Sequence, residues 1–251
     1  MNKRSRVLRD LAARTCLKVI AGINNFDKER VLQIVKAASQ MKASCVDISA
    51  REDIVIEAVA SAGDTAIMVS SISPVELIRA QELGADMLEL GNFEALHDEG
   101  IFPTANEVLA WAKEIMDAKT TALISITVPG HLTVREQVEL ACQLEELGVD
   151  MIQTEGASLV ETSSVGALGQ IEKARLSLAN TLEISKIVTN TFILTASGIS
   201  PDTAKLAIAS GAHGIGVGKY VNKLESELEM LAAISALKLA LSTETASLAQ
   251  C

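Results

Sequence analysis

The sequence predicts an α/β protein folded as a (β/α)8 TIM barrel, in which a short helix precedes the first strand. Eight short apolar runs alternate with longer amphipathic stretches, and eight is the number of strand–helix units in this barrel. The runs are mostly apolar, without a regular alternation with charged residues, which is typical of parallel strands that helices cover on both faces. The 251 residues, 49% of them hydrophobic, can build one sizeable core, so we expect a single domain over residues 1–251. A doubly wound open sheet fits the same pattern and is the alternative.

The strands are predicted at residues 17–21, 45–48, 66–69, 87–90, 122–127, 151–154, 192–196 and 214–217. An internal repeat supports counting them as equivalent units. The segment ELGADM at 82–87 matches ELGVDM at 146–151, and SGAHG at 210–214 is a weaker copy. The glycine in each copy suits the left-handed residue that ends a helix before the next strand begins.

Capping signals mark the helices between these strands. Residues 1–14 are basic, with apolar residues on one side, and predict a short helix that closes one end of the domain. Asp27 is placed to cap the helix that follows it. The segments 73–76 and 200–202 each combine a capping serine with proline at the first helical position. The last helix is predicted at about 222–242.

The composition excludes several classes of protein. The formal charge of −10 and a sequence pI near 4.9 disfavour binding to nucleic acid, because an acidic chain repels its phosphates. The longest stretch without a charged residue, 187–201, has 15 residues and contains glycine and proline, so no membrane span is expected. Four cysteines without paired spacing and the lack of a two-histidine–carboxylate pattern predict neither disulfides nor a metal site. No motif indicates a cofactor.

Functional residues are expected at the carboxyl ends of the strands, where the loops of such barrels build the site. Small and polar residues crowd these ends, at 22–25, 49–51, 70–71, 91–92, 129–131, 155–158, 197–199 and 218–219.

The last two strand ends give the sharpest signal. Ser197 and Gly198 precede one helix, and Gly216, Gly218 and Lys219 precede the final one. Glycine lets backbone N–H groups approach a ligand closely, and amides that open a helix favour an anion. We therefore expect a phosphate group there, with Lys219 adding a positive charge. The alternative is that these glycines only permit tight turns and close helix packing.

Two family resemblances follow from these motifs. The segment 193–221 resembles the end of the phosphate-binding aldolase-type barrels, which include thiazole synthase and barrels of tryptophan and histidine biosynthesis. This resemblance implies that the loops after strands seven and eight hold a substrate phosphate. Over about residues 11–242, the chain resembles the hypothetical chloroplast reading frame twenty-three family of cyanobacteria and plastids, on the motifs KVIAGINNF at 18–26 and VDMIQTEG at 149–156. That resemblance implies an aldolase-type barrel in a cyanobacterial cytoplasm or a plastid stroma, and it supplies no reaction.

Strand alternation predicts which polar side chains point into the barrel: Lys18, Asp47, Glu89, Ser125, Thr127, Gln153, Glu155 and Thr195. Because buried charges need partners, Lys18 on strand one is expected to pair with Asp47 on strand two. The pair is either structural, or functional with Lys18 as a nucleophile or acid–base group whose pKa burial lowers. Glu89 and Glu155 are candidates for a general base and acid that face each other across the mouth, or else they anchor loops at the rim.

Other polar features are weaker signals. His131 lies at the rim and is either an acid–base group or a surface turn residue. His97 is expected in a solvated loop, and His213 at the opposite end of the barrel in a structural role. The segment 155–174 is long for a connection and predicts either a lid or an extra short helix at the rim.

Two functions fit this pattern. The first is an enzyme that acts on a small phosphorylated metabolite by lyase or isomerase chemistry, with Lys18, Asp47, Glu89 and Glu155 as the catalytic candidates. Strand six carries no lysine, which departs from the Schiff-base aldolases that place one there. The second is a non-catalytic sensor or regulatory protein that binds such a metabolite or inorganic phosphate. A homodimer through the outer helices is compatible with this fold, and no residue pattern identifies its interface.

Overall fold

The computed structural model describes residues 2–156 and 162–242, and within them eight parallel strands form a closed barrel. The strands are β1 (Cys16–Gly22), β2 (Cys45–Ser49), β3 (Ala66–Ser71), β4 (Met87–Leu90), β5 (Leu123–Val128), β6 (Met151–Thr154), β7 (Phe192–Thr195) and β8 (Gly214–Val217). The helices are α1 (Lys3–Ala12), α2 (Lys28–Gln40), α3 (Glu52–Ser61), α4 (Pro74–Glu82), α5 (Ala105–Asp117), α6 (Val134–Leu147), α7 (Gly166–Ser185), α8 (Pro201–Ala209), α9 (Lys219–Asn222) and α10 (Glu227–Leu241). A 3-10 helix, Phe93–Glu99, follows β4.

The strand order confirms the barrel and excludes the open sheet. Each strand pairs in parallel with the next one along the chain, and β1 closes the barrel against β8, with Lys18 opposite Gly216. The predicted strands differ from the observed ones by at most two residues at either end. No helix in the described part of the chain has the length and apolar character needed to cross a bilayer.

The caps predicted at Asp27 and Ser73 form, whereas the boundary predicted for the last helix is wrong. Asp27 accepts a hydrogen bond from the backbone N–H of Arg30 at 3.0 Å and begins α2. The single last helix predicted at 222–242 is wrong, because the chain breaks there into the short α9 and the longer α10. Ser226 starts α10 through a reciprocal capping box, in which its hydroxyl and the Glu229 carboxylate each accept a backbone N–H of the other residue.

The connection after β6 is shorter than predicted. Residues 157–161 lie outside the described residues, and α7 begins at Gly166 rather than near residue 174. The lid or extra short helix predicted within 155–174 includes these undescribed residues and stays a prediction.

The barrel interior has an apolar lower layer and a polar upper layer. The lower layer contains Cys16, Cys45, Ala66, Met68, Met87, Leu123, Met151 and Leu194. Helix α1 closes this end, as predicted, because Val7 and Leu11 pack against the layer with no exposed surface. The amino-terminal end of the barrel is therefore sealed by apolar contacts, and the polar layer faces the opposite end.

Glycines on β8 make room for the side chains that fill the interior. A Cβ at Gly214 would lie 2.6 Å from both Cβ and the carbonyl oxygen of Cys16. A Cβ at Gly216 would lie 3.2 Å from the side-chain oxygen of Gln153. Because β8 contributes no side chains at these positions, the side chains of other strands can cross the barrel axis.

We predict that Gly214→Ala destabilises the protein by about 1–3 kcal/mol, since the added methyl group collides with backbone and must displace β1. Gly218→Ala is the matched control, because the nearest atom to its added Cβ would be 3.7 Å away. Urea unfolding of both variants measures the difference. Equal stability of the two variants would contradict this packing account.

Candidate functional site

A fully buried lysine occupies the upper layer of the barrel. The Nζ atom of Lys18 lies 2.9 Å from Glu89 Oε2, 2.9 Å from Gln153 Oε1 and 3.3 Å from Asp47 Oδ2. The side chains of Lys18, Asp47 and Glu89 have no exposed surface. The predicted pairing of Lys18 with Asp47 is confirmed, and Glu89 is a second carboxylate partner. The three ammonium protons thus face three oxygen atoms from β2, β4 and β6.

The oxygens around Lys18 belong to a continuous hydrogen-bonded network. The hydroxyl of Thr127 donates to Glu89 Oε1 at 2.6 Å. The amide nitrogen of Gln153 donates to the side-chain oxygen of Asn92 at 2.9 Å, and Asn92 Nδ2 donates to Asp47 Oδ2 at 2.8 Å. Ser70 completes the circuit by donating its hydroxyl to Asp47. Six neighbouring strands or strand ends, β1 to β6, are joined in this way.

Sequence analysis placed Asn92 among the polar strand ends but assigned it no role; in the structure it joins the two sides of this network. Asn92 has φ 65° and ψ 44°, a left-handed conformation that asparagine tolerates better than most residues. Gly91 before it has φ 140°, and a Cβ there would lie 2.3 Å from Thr127 Cβ. The Gly91–Asn92 pair directly after a buried strand was the available signal, because both residue types suit this conformation.

The charges of the network alter the pKa of its members. Burial favours the neutral amine of Lys18, but the adjacent carboxylates of Asp47 and Glu89 outweigh it and raise the pKa of Lys18 above 10.5. The lowered pKa that the functional alternative assigned to Lys18 is therefore wrong, and Lys18 is an ammonium ion at neutral pH. Burial, with the neighbouring Glu89 charge, raises the pKa of the Asp47 carboxyl despite the opposing effect of Lys18.

Glu155 lies at the rim, beside a second acidic residue, Glu94. Both of its carboxylate oxygens lie 3.3 Å from the backbone nitrogen of Glu94, which donates to them from the 3-10 helix. Glu155 is only 3% exposed. Burial and the nearby Glu94 charge raise the pKa of Glu155 well above its usual value, so its neutral acid form is favoured. Glu94, which sequence reasoning missed, accepts a hydrogen bond from the hydroxyl of Ser197.

The loops after β7 and β8 carry the predicted phosphate-binding residues. Ser197 and Gly198 have φ of 70° and 73°, and a Cβ at Gly198 would lie 2.4 Å from the carbonyl oxygen of Lys173 in α7. Gly198 thus permits close packing against α7. Gly216 lies inside β8 beside Gln153, below the loop. Gly218 and the exposed Lys219 lie at the loop itself, where α9 begins.

Several backbone amides of these two loops have no partner in the described residues. Within 2–156 and 162–242, no oxygen accepts a hydrogen bond from the backbone N–H of Gly198, Gly218 or Lys219. Helix α9 has only four residues, so the helix dipole expected at this loop contributes little. The amides themselves and Lys219 remain as donors for an anion.

Of the other two residues predicted to point into the barrel, one does and one does not. Thr195 does not point into the barrel, because its hydroxyl forms a 2.7 Å hydrogen bond with Thr181 of α7. The reason is the alternation of β7, which places Leu194 inside and Thr195 against the helix layer. Ser125 does lie inside, where its buried hydroxyl has no hydrogen-bond partner within the described chain.

The histidines form two groups. His97 is not in a solvated loop but in the 3-10 helix, where its ring stacks on Phe102 with centroids 4.5 Å apart. His131 packs edge-on against both rings, and its Nε2 lies 3.1 Å from the carbonyl oxygen of Pro103. His213 lies before β8 and accepts the backbone N–H of Ile193 at 3.1 Å, which fits its predicted structural role at the opposite end.

The closed barrel of eight parallel strands with alternating helices defines the fold as a (β/α)8 barrel. Solved structures of the same fold include "QR15, an Aldolase", with a TM-score of 0.64 and 17% identity, covering 91% of this chain and 94% of that one. A 3-hexulose-6-phosphate synthase gives a TM-score of 0.64 at 12% identity, covering 90% and 100%. An orotidine 5'-phosphate decarboxylase from Pyrococcus horikoshii gives 0.59 at 15%, covering 89% and 98%.

The chain belongs to the family described as "Protein of unknown function (DUF561)", whose model matches residues 1–247. It is 36% identical over 221 residues to "Uncharacterized protein ycf23" of Cyanophora paradoxa, covering 88% of this chain and 90% of that protein. It is 33% identical over 239 residues to the protein of the same name from Porphyra purpurea, covering 95% and 89%. The expected membership in the chloroplast reading frame twenty-three family is confirmed.

We predict that Lys18→Met destabilises the protein by about 3–5 kcal/mol, because it leaves Asp47 and Glu89 buried without a counter-charge. Adding Asp47→Asn and Glu89→Gln to Lys18→Met removes both carboxylates and is expected to recover much of the loss. Chemical denaturation of the single and triple variants measures this coupling. A triple variant less stable than Lys18→Met would show that the charges are not the cause.

We also predict a pH effect of Glu155. Its pKa is raised in the folded state, so the unfolded chain holds fewer protons and the unfolding free energy falls as pH rises above about 4.5. Glu155→Gln removes this contribution, so its stability relative to the unmodified protein increases with pH. Denaturation curves at several pH values measure the slope, with the exposed Glu139→Gln as control. Parallel slopes for Glu155→Gln and the unmodified protein would refute the effect.

Proposed function

We propose that this protein binds a small phosphorylated metabolite at the loops after β7 and β8, and that Glu155 acts there as an acid in lyase or isomerase chemistry. The observation that carries the proposal is that the backbone amides of Gly198, Gly218 and Lys219 have no acceptor among the residues that the structure describes. Backbone N–H groups of this kind bind phosphate oxygens without requiring a positive overall charge. The exposed Lys219 adds a cation to a site on a chain of net charge −10.

Two solved structures of similar fold have names that include a phosphorylated compound. One is named as a hexulose phosphate synthase and another as an orotidine 5'-phosphate decarboxylase, and both names contain a phosphorylated sugar or nucleotide. Their low identity to this chain makes them support for the fold, while the ligand is inferred from the amides.

Glu155 is the side chain best placed for proton transfer. Because its pKa is raised, the Glu155 carboxyl keeps its proton to a higher pH than an exposed carboxyl does. In a lyase step it can donate that proton to the ligand's carbonyl oxygen while the electron pair of the broken carbon–carbon bond forms the enol. The Glu155 carboxylate takes the proton back when the enol accepts a solvent proton on carbon and returns to the carbonyl product. In our proposal Lys18, Asp47 and Glu89 are positioning residues rather than a nucleophile and base. Their hydrogen bonds hold Gln153 and Asn92, and through them the rim.

Glu94 sets the affinity of the phosphate site in this proposal. Its carboxylate accepts the Ser197 hydroxyl and therefore lies beside the loop expected to hold a dianion. Like charges repel, so ligand binding requires the Glu94 carboxylate to turn away from this loop. Ser197 is then free to donate to the ligand.

A second candidate function is a non-catalytic sensor of the same ligand. The observation in its favour is that the Lys18 ammonium is already satisfied by three side-chain oxygens, so it offers no reactive group to a substrate. Both candidate functions require ligand binding, but only the enzyme converts the ligand. If the protein is an enzyme, Glu155→Gln should abolish turnover while the ligand still binds.

The test is binding of sugar phosphates, inorganic phosphate and the matching free sugars, measured by calorimetry on protein purified without phosphate. We expect phosphorylated compounds to bind and free sugars not to bind. Lys219→Gln should weaken binding about 5-fold, because it removes one positive charge. Lys219→Pro should weaken binding further, because it also removes a backbone N–H, at the first position of a helix, where proline is tolerated. Glu94→Gln should tighten binding.

The exposed lysine of α5, Lys113, provides the control, and Lys113→Gln should bind as the unmodified protein does. Failure of every phosphorylated compound to bind would reject both the enzyme and the sensor. Binding that is indifferent to both Lys219 variants would place the ligand elsewhere.

A further inference from the structure

A cavity lies at the amino-terminal end of the barrel, opposite the rim. Its volume is about 600 Å³. Its lining comes from α1, the start of β1, the turns before β2 and β3, and the end of α10. The basic side chains that line it are Lys3, Arg6, Arg9, Lys42 and Lys238.

The charge of this cavity is opposite to that of the whole protein. Five basic side chains line it against two carboxylates, Asp10 and Asp64, while the chain has a formal charge of −10. Asp10 already accepts hydrogen bonds from the Arg9 guanidinium at 2.8 Å and from the Ser44 hydroxyl at 2.8 Å. Lys3 lies 3.6 Å from Asp86 Oδ2, a third carboxylate beside the recess. Five basic side chains against three carboxylates still leave an excess of positive charge there.

Two of the cations are held in place by neutral acceptors. Arg6 donates to the carbonyl oxygens of Lys42 at 2.7 Å and Asp64 at 3.2 Å. Lys238 Nζ donates to the carbonyl oxygens of Met41 at 2.7 Å and Lys42 at 3.1 Å. These contacts fix the positions of both cations. Arg6 also lies 3.9 Å from Asp10 Oδ2, whereas Lys238 forms no ion pair with any described residue.

The cations also repel one another. Burial first, and then the charges of Arg6 and Lys42, lower the pKa of Lys238, while Asp10 opposes the shift. An anion in the cavity would relieve this repulsion, and it would find donors that are already positioned.

We propose that this cavity is a second anion-binding site, and that its ligand is a compact small molecule with two or more negative charges, such as a diphosphate or a polycarboxylate. The apolar lining consists of Leu17 and Leu241, and no aromatic ring lines the cavity within the described chain. The site therefore recognises charge and compact shape rather than a stacked base. The sealed lower layer of the barrel separates it from the rim, so the two sites bind independently.

Calorimetry with pyrophosphate and with citrate on the full chain at low salt tests this site. We choose Lys42 as the diagnostic residue, since its side chain is exposed and forms no ion pair within the described chain. Lys42→Gln should weaken binding about 5-fold and Lys42→Glu more strongly. Both variants should melt within a few degrees of the unmodified protein in the absence of ligand.

Two controls separate this site from the rim. Lys113→Glu should leave pyrophosphate binding unchanged, and Lys219→Glu should weaken only the rim site. Unchanged affinity in Lys42→Glu, or lack of binding by both anions, would overturn the proposal. If Lys219→Glu abolishes pyrophosphate binding and Lys42→Glu does not weaken it, the anion binds at the rim and the second site is likewise rejected.

Discussion

The buried ammonium group of Lys18 is the constraint on which the interior of this barrel depends. A lone cation without water would be too costly to bury, so the strands around it must supply oxygen atoms at hydrogen-bond distance. They come from Asp47 on β2, Glu89 on β4 and Gln153 on β6. The glycines of β8 complete the arrangement, because a side chain at Gly216 would press against Gln153.

This arrangement divides the barrel into three zones with different roles. The apolar lower layer, capped by α1, excludes water from one side of the buried charges. The polar layer holds the strands in register and fixes the side chains beneath the rim. The rim contains the backbone amides of Gly218 and Lys219, which have no acceptor in the part of the chain that the structure describes, and the Glu155 carboxyl, whose pKa is raised. Binding and chemistry are thus proposed at the rim, while the charged network beneath it supports the geometry.

The sequence predicted the strands well because their apolar runs are short and sharply bounded, and capping residues such as Asp27 mark the helices. It also paired Lys18 with Asp47 correctly, since neighbouring strands and opposite charges leave few alternatives. It could not predict Asn92 or Glu94, whose positions depend on how the chain turns after β4. The sequence left the role of the Lys18–Asp47 pair open, and the lowered Lys18 pKa of the functional alternative is wrong. The charges of Asp47 and Glu89 together outweigh burial, and only the closed barrel shows that both lie beside Nζ.

The ionisation state of Lys18 tests the account most directly. Nitrogen NMR of the lysine side chains, with Lys18→Met to assign the signal, reports whether the group is an ammonium ion. We predict that Lys18 stays protonated as pH is raised through 10.5, where exposed lysines lose their protons. A Lys18 signal that titrates below the exposed lysines would contradict the account and restore Lys18 as a nucleophile.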